Sequence, residues 1–140
     1  MTPNPYQQYQ TTQIKTASIG DLVVLLYDGA ARFLAGAEYA LDEGRLDAAS
    51  ADLVRAQNVI LELIAGLDYE KGGDLATNLR ELYLFVYQTL IAANLHKDIE
   101  QVRAAQRILE PLRAAWRAVV RGTNDTGQAP APALAGGIAA

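Results

Sequence analysis

A chain of 140 residues is long enough for a single domain with one hydrophobic core. Its hydrophobic fraction of 51% with 20% charged residues excludes global disorder, and the lack of cysteine excludes disulfides, thiolate nucleophiles and cysteine-ligated zinc. The formal net charge of −4 and the pI near 4.9 argue against nucleic-acid binding, which normally requires a basic surface. No run of about 18 apolar residues occurs, so we expect no direct insertion into a membrane.

The first 17 residues fit no regular element, and we expect them to form an extended N-terminal arm. The stretch NPYQQYQTTQIKTAS is rich in amides and hydroxyls, and its only charge is Lys15. It lacks the basic and apolar regions of a secretory signal. A sequence with a helical pattern follows directly, with Ser18 as a possible N-cap and Asp21 in the first turn.

Two helices are predicted next, and both show apolar residues at helical spacing. In the first helix the predicted core residues are Leu22, Leu25, Leu26, Phe33, Ala37 and Leu41. We expect this helix to end in the stretch DEGR, with Gly44 just past its last turn. In the second helix, steps of three and four residues select Leu46, Ala49, Leu53, Ala56, Ile60, Leu63 and Leu67. The pair Gly72 and Gly73 is then expected to let the chain reverse.

The third helix is predicted from about Asp74 to Asn94, and it is apolar over more than one face. Its predicted core residues are Leu75, Leu79, Leu82, Val86, Leu90 and Ala93. Tyr83, Tyr87 and Ile91 form a second row at four-residue spacing, away from the first. A helix that is apolar nearly all round must be covered on more than one side.

The fourth helix is predicted to run to about Arg121 and to be kinked or broken at Pro111. Its predicted core residues are Ile99, Val102, Leu109, Leu112, Trp116 and Val119. Five arginines recur along it at positions 103, 107, 113, 117 and 121. Such a row is typical of a solvated helix face paired with nearby acids, although it also suits an acidic partner or nucleic acid.

We therefore predict an all-α fold, an antiparallel up-down four-helix bundle with an extended N-terminal arm. The expected organisation is an arm over residues 1–17, the bundle over 18–121, and a disordered tail or linker rich in Ala, Gly and Pro over 122–140.

No constellation of catalytic or metal-binding residues is visible in the sequence. His96 is the single histidine and is not preceded by a glutamate three residues earlier, so a di-iron bundle site is not predicted; we expect a solvated turn residue. Ser50 has no evident basic partner, and the two adjacent glycines lack the Gly-Lys-Ser/Thr sequence of a phosphate-binding loop. We predict no enzyme and no cofactor.

Apolar surface remains to be explained, on the third helix and on the arm. A contiguous exposed apolar patch is typical of an interaction site, and grooves between helices accept amphipathic segments. The residues alone support equally well a third helix that the arm covers permanently.

Five stretches in this order give the chain a specific resemblance: YQQYQTTQIKTAS, LLYDGAARFL, RAQNVILEL, LDYEKGGDLATNLRELY and LIAANLHKD. Together they resemble the FliS family of flagellar secretion chaperones from about Pro5 to Val119. The resemblance implies a cytosolic bacterial protein that binds the C-terminal segment of flagellin, prevents its premature polymerisation and presents it to the membrane-embedded flagellar export gate. It implies no metal and no ATP.

The expected partner-binding residues combine this resemblance with the apolar surface. They are Tyr6, Tyr9, Ile14, Tyr27, Asn78, Leu79, Tyr83, Tyr87, Ile91 and Trp116. Core packing is the simpler expectation for Trp116, and a polar surface position suits Asn78 equally well. A packing role for Gly29 in the family-like LYDG is at least as well supported as partner contact. We expect Tyr6, Tyr9 and Ile14 to cover part of the groove in the free protein.

Two other functions are compatible with the same residues. One is a homo-oligomeric helical scaffold whose excess apolar face is a self-interface. The other is a binder of a different flagellar regulatory protein.

Overall fold

Four α-helices make up the computed structural model, which describes residues 19–126 and, for side chains, residues 19–122. They are α1 (Ile19–Asp42), α2 (Leu46–Ala65), α3 (Tyr69–His96) and α4 (Ile99–Thr126). Helix α1 packs against α2 and α4, and α3 packs against the same two helices. Short connections between helices that neighbour each other in this ring give an antiparallel up-down bundle. The predicted fold class is confirmed, whereas the N-terminal arm lies outside the described residues.

The end of α1 follows the predicted glycine motif. Gly44 has a φ of 73°, the left-handed conformation that glycine adopts without a steric penalty. Its amide donates to the carbonyl of Leu41, and the Arg45 amide donates to that of Ala40. These two bonds satisfy the last carbonyls of the helix as in a Schellman motif. The prediction for Gly44 is confirmed.

The reversal before α3 occurs earlier than predicted. Asp68 caps the helix, because its Oδ1 accepts hydrogen bonds from the amides of Glu70 and Lys71. The chain therefore turns at residues 66–68, and the glycine pair lies inside α3. Only Gly73 is non-helical, with φ 51° and ψ −126°, which produces a kink rather than a loop. The predicted start at Asp74 and the predicted reversal at the two glycines are wrong.

Pro111 does not break α4, which extends to Thr126, beyond the predicted end at Arg121. Of the two predicted effects, the break is therefore wrong and the kink stays a prediction. The proline deprives the Arg107 carbonyl of its usual amide donor. Both residues lie on the exposed side of the helix, where water can replace that donor. The predicted Ser18 N-cap lies outside the described residues.

The core is formed by one row of side chains from each helix. The α2 row is as predicted from Ala49 to Leu67, although Leu46 at its start is exposed. The α1 row is displaced from the predicted one, because Leu25 is 65% exposed and Leu22 is 38% exposed. The residues that α1 buries are Gly20, Val23, Tyr27, Gly29, Ala30, Leu34, Ala37 and Ala40. Helix α4 contributes Val102, Leu109 and Trp116, as predicted.

Within residues 19–126, no helix combines the length and the apolarity needed to cross a membrane.

Candidate functional site

The row predicted along α3 does not form a single exposed surface. Tyr83 is 0% exposed and belongs to the core, contrary to its predicted place in a separate outer row. Tyr87 is half-buried against the core, and Ile91 is 43% exposed. The exposed apolar face of α3 therefore begins about one turn later than the sequence indicated.

The buried hydroxyls of Tyr27 on α1 and Tyr83 on α3 form a hydrogen bond of 2.5 Å. Their rings are tilted by 59°, with centroids 6.4 Å apart. Burial raises the pKa of Tyr83 to about 12, despite the opposing effect of the hydrogen bond from Tyr27. Burial, together with the nearby Tyr83, raises the pKa of Tyr27 even further. Both hydroxyls stay neutral at physiological pH, so this pair links two helices and does not exchange protons.

The remaining predicted site residues divide between core and surface. Leu79 and Trp116 are buried, and the Nε1 atom of Trp116 has no hydrogen-bond partner among the described residues. Asn78 is exposed on α3. Tyr6, Tyr9 and Ile14 lie outside the described residues.

A groove between α2 and α3 contains the exposed end of the α3 row. This α2–α3 groove has a volume of about 390 Å³ and is lined by Ser50, Gln57, Ile91, Asn94, Leu95 and Lys97. Leu95 is 75% exposed, the largest exposed fraction among the large apolar residues of the described chain. It follows Ile91 by four residues, so one further step of the predicted row would have found it.

Polar groups lie beside this apolar row at the end of α3. The Lys97 ammonium donates to the Asn94 carbonyl at 2.7 Å and to its side-chain Oδ1 at 2.9 Å. Lys97 has a φ of 50°, a left-handed conformation that is uncommon for a residue other than glycine. The Asp98 amide bonds to the Ala93 carbonyl and closes the helix end. The groove thus offers apolar side chains together with an amide and one positive charge.

The opposite side of the bundle, between α1 and α4, is held by ion pairs. Asp28 Oδ1 accepts from Arg113 Nε at 2.7 Å and from Arg117 Nη2 at 2.8 Å. Glu38 accepts from Arg103 at 2.8 Å. Desolvation alone raises the pKa of Asp28, but the hydrogen bonds and charges of the two arginines outweigh it and hold that pKa below its ordinary value. The expectation that the arginine row pairs with acids is confirmed for these three arginines.

The glycine predicted to allow close helix packing is not the one that does so. A Cβ atom on Gly29 would meet only Val59, at an ordinary contact distance of 4.0 Å. A Cβ on Gly36 would instead collide with the side-chain carboxylate of Asp52 on α2, so the lack of a side chain at Gly36 makes room for that carboxylate. In the LYDG stretch the specific contacts are made by Tyr27, which bonds to Tyr83, and by Asp28, which pairs with two arginines.

A cleft of about 280 Å³ opens between the two sets of ion pairs. This α1–α4 cleft is lined by Tyr27, Ala31, Leu34, Ala35, Gln106, Leu109, Glu110 and Arg113. Its apolar floor and polar rim suit the binding of a side chain more than a reaction.

Within the part of the chain that the structure describes, no three His, Cys, Asp or Glu side chains lie together as metal ligands would. His96 is exposed at the end of α3, as expected, and Ser50 in the α2–α3 groove has no histidine beside it. The site can therefore hold apolar side chains and hydrogen-bond a backbone, but it offers no paired nucleophile and base.

Comparison with known proteins identifies the family. Residues 2–123 match the family described as "Flagellar protein FliS". The flagellar secretion chaperone FliS of Salmonella typhimurium is 37% identical over 107 residues, which cover 76% of this chain and 79% of that protein. The Campylobacter jejuni FliS is 33% identical over 114 residues, covering 81% and 89% of the two chains. The Bacillus subtilis FliS is 28% identical over 118 residues, covering 84% and 87%. The chain therefore belongs to the FliS family of flagellar secretion chaperones and is not an enzyme.

Proposed function

We propose that this protein is a cytosolic chaperone that binds the C-terminal segment of flagellin. In this proposal it prevents premature polymerisation of flagellin and aids its delivery to a membrane protein of the flagellar export gate. Membership of the FliS family and the names of its relatives support the general role. The α2–α3 groove supports a binding site for an amphipathic segment.

The observation that carries the proposal is the apolar row formed by the half-buried Tyr87 and the exposed Ile91 and Leu95. Its four-residue spacing places one side chain on each successive turn of α3, next to α2. An amphipathic helix presents its own apolar residues at the same spacing, so its row can lie along the groove. Given the exposed fractions of Ile91 and Leu95, covering both side chains contributes roughly 2–3 kcal/mol to binding.

The polar groups of the groove complement the apolar row. Asn94 and Gln57 carry amides that can bond the backbone of an incoming segment where it is not helical. Lys97 adds a positive charge at the end of α3, which favours an acidic residue or a carboxyl group of the client there. These groups fix orientation, whereas the apolar row supplies most of the affinity.

The buried residues of the expected site do not line the groove. Tyr27, Leu79, Tyr83 and Trp116 pack in the core, so we assign them a supporting role and not direct contact with the client. Asn78 is exposed and available as a further hydrogen-bonding group.

The arm has a place in the same proposal. We propose that Tyr6, Tyr9 and Ile14 cover part of the groove in the free protein and move aside when the client binds. An arm with a single charge can lie on apolar surface without the cost of desolvating several ions. Deletion of residues 1–12 should then tighten client binding or leave it unchanged. Loss of peptide binding in a deletion variant that remains folded would make the arm part of the site.

Calorimetric titration with a C-terminal flagellin peptide tests the groove. We expect a dissociation constant below about 1 μM, equivalent to about −8 to −10 kcal/mol, with a gain of peptide helicity. Ile91→Asp should weaken binding by about tenfold or more, because it places a charge in the apolar row. Leu25→Asp is the matched control, since it changes an exposed leucine on α1 and should leave binding within about twofold.

Two results would contradict the proposal. One is the absence of both heat and helicity change with the wild-type protein. The other is equal binding by the two aspartate variants, which would move the site away from the groove. A stable dimer that buries Ile91 and ignores flagellin would favour the homo-oligomeric scaffold instead.

A further inference from the structure

We propose that the C-terminal tail packs back along α4 and that Leu134 occupies the α1–α4 cleft. The cleft lies between a different pair of helices from the α2–α3 groove, so the inference does not depend on the client proposed above. The occupant is a segment of this chain, residues 127–140, which continues from the end of α4 at Thr126.

The α1–α4 cleft has an apolar floor and a wall of small side chains. Its floor consists of the buried Tyr27, Leu34 and Leu109. Ala31 and Ala35 supply its α1 wall, and because their side chains are short a cleft of about 280 Å³ remains above this floor.

Cross-helix ion pairs bound the cleft at both ends. One end is defined by Arg103 with Glu38, and the other by Arg113 with Asp28. These pairs tie α1 to α4 above and below the opening, so the cleft does not close by a simple approach of the two helices. An uncharged aliphatic side chain suits the space between them, because it covers the apolar floor and leaves the ion pairs intact.

The composition of the tail matches such a role. The chain carries no charge after Asp125, so the tail can lie on protein surface without desolvating an ion. Gly127 directly follows the last residue of α4, where a glycine permits the chain to reverse. Pro130 and Pro132 then favour an extended polyproline conformation, and Leu134 is the first large apolar residue beyond α4.

The length of the tail fits the distance to the cleft. Eight residues from Thr126 to Leu134 span about 25 Å at the polyproline rise of about 3.1 Å per residue. Measured back along α4 from Thr126, the same 25 Å corresponds to about 17 residues at about 1.5 Å per residue and reaches Leu109. If the turn after Thr126 takes up one or two residues, Leu134 reaches less far along α4 and lies nearer to Arg113. The cleft is lined on α4 by residues 106 to 113, so Leu134 reaches it.

The only other large apolar residue of the tail does not fit the same register. Ile138 lies four residues further on and reaches about 37 Å from Thr126 in the same conformation. That distance corresponds to about 25 residues of α4 and passes the Arg103 ion pair that ends the cleft. The register therefore selects Leu134.

Disulfide trapping tests this contact, since the chain has no cysteine of its own. The test protein carries Ala35→Cys in the cleft wall and Ala133→Cys beside the anchor. The control carries Ala51→Cys, on the exposed side of α2, with the same tail cysteine. We expect the cleft pair to form its intramolecular disulfide at least about fivefold faster, because burial of a leucine favours the docked tail. Adding Leu134→Asp should abolish this difference, whereas Ile138→Asp should preserve it.

The two bundle positions are matched in height as well as in exposure. Ala35 and Ala51 adjoin Gly36 and Asp52, and the carboxylate of Asp52 lies against Gly36. Ala51 is on α2, whereas α4 packs against α1 and α3, so the comparison at equal chain length is the cleft pair with and without Leu134→Asp. Equal rates for the two pairs would overturn the proposal.

Other occupants give different results. Disulfides that form between molecules, at a rate that rises with concentration, would place a second copy in the cleft and overturn the intramolecular contact. Loss of the rate difference with Ile138→Asp, and its retention with Leu134→Asp, would overturn the assigned register. Unchanged helicity and urea midpoint in each variant would show that the bundle is intact.

Discussion

Removing one hydroxyl of the Tyr27–Tyr83 pair should cost more than removing both. In Tyr83→Phe the hydroxyl of Tyr27 remains buried and loses the partner that it has among residues 19–122, at 2.5 Å. A buried hydroxyl without a partner costs about 1–3 kcal/mol of folding free energy. In the double phenylalanine variant no polar group is left behind and both rings keep their shape. Its cost should therefore be close to zero, within about 1 kcal/mol.

Urea denaturation of the wild type, both single variants and the double variant measures this coupling. We expect each single substitution to lower the free energy of unfolding by about 1–3 kcal/mol, and the double variant to recover most of that loss. Unchanged m-values would show that the substitutions alter stability and not the unfolded state. The reasoning is refuted if both single variants lose less than about 0.5 kcal/mol, or if the double variant loses the sum of the two.

Three further predictions concern pH and the backbone. Folding raises the pKa values of Tyr27 and Tyr83 above 10, so their contribution to the free energy of unfolding is complete below pH 10 and falls as pH rises through about 12. Urea denaturation at a series of pH values should therefore show a steeper alkaline loss of stability for the wild type than for the double phenylalanine variant. Gly73→Ala should lower the free energy of unfolding by about 1–2 kcal/mol, because Gly73 has a positive φ. Gly122→Ala, in open space within α4, is the control and should leave the free energy of unfolding unchanged or raise it by up to about 1 kcal/mol in the same assay. Asp28→Asn should lower the free energy of unfolding by about 1 kcal/mol at pH 7. Because the pKa of Asp28 is depressed in the folded protein, its stabilisation is lost as pH falls through that pKa, so the variant should also lose less stability than the wild type in acid.

Periodicity predicted the core of α2 well and that of α1 poorly, for a physical reason. In α2 one row continues at steps of three and four residues along the whole helix, and the large apolar residues outside it, Val54, Val59, Leu61 and Ile64, form no second row of that length. The first turns of α1 read LVVLLY, where almost any choice of row is apolar. Packing against α2 and α4 then decides which residues are buried, and it selects Val23 and Tyr27 over Leu22 and Leu25.

The candidate site was predictable only in part, because its residues depend on distant partners. The burial of Tyr83 is permitted by a hydroxyl on α1, 56 residues earlier, which local spacing cannot reveal. The start of α3 was missed because two adjacent glycines indicate a loop, whereas the Asp68 cap recruits the preceding turn into the helix. Of the row predicted on α3, Tyr83 is buried and Ile91 is exposed, and the exposed residues continue one step further, to Leu95.

Seeded polymerisation of flagellin tests the central claim most directly. Purified flagellin monomer is mixed with short filament seeds, and filament growth is followed by light scattering with and without an equimolar amount of this protein. We predict that growth is suppressed by the wild type and by Leu25→Asp, and that Ile91→Asp restores it because the apolar row of the α2–α3 groove no longer holds the client. Filament growth at the same rate with and without the wild-type protein would contradict the account.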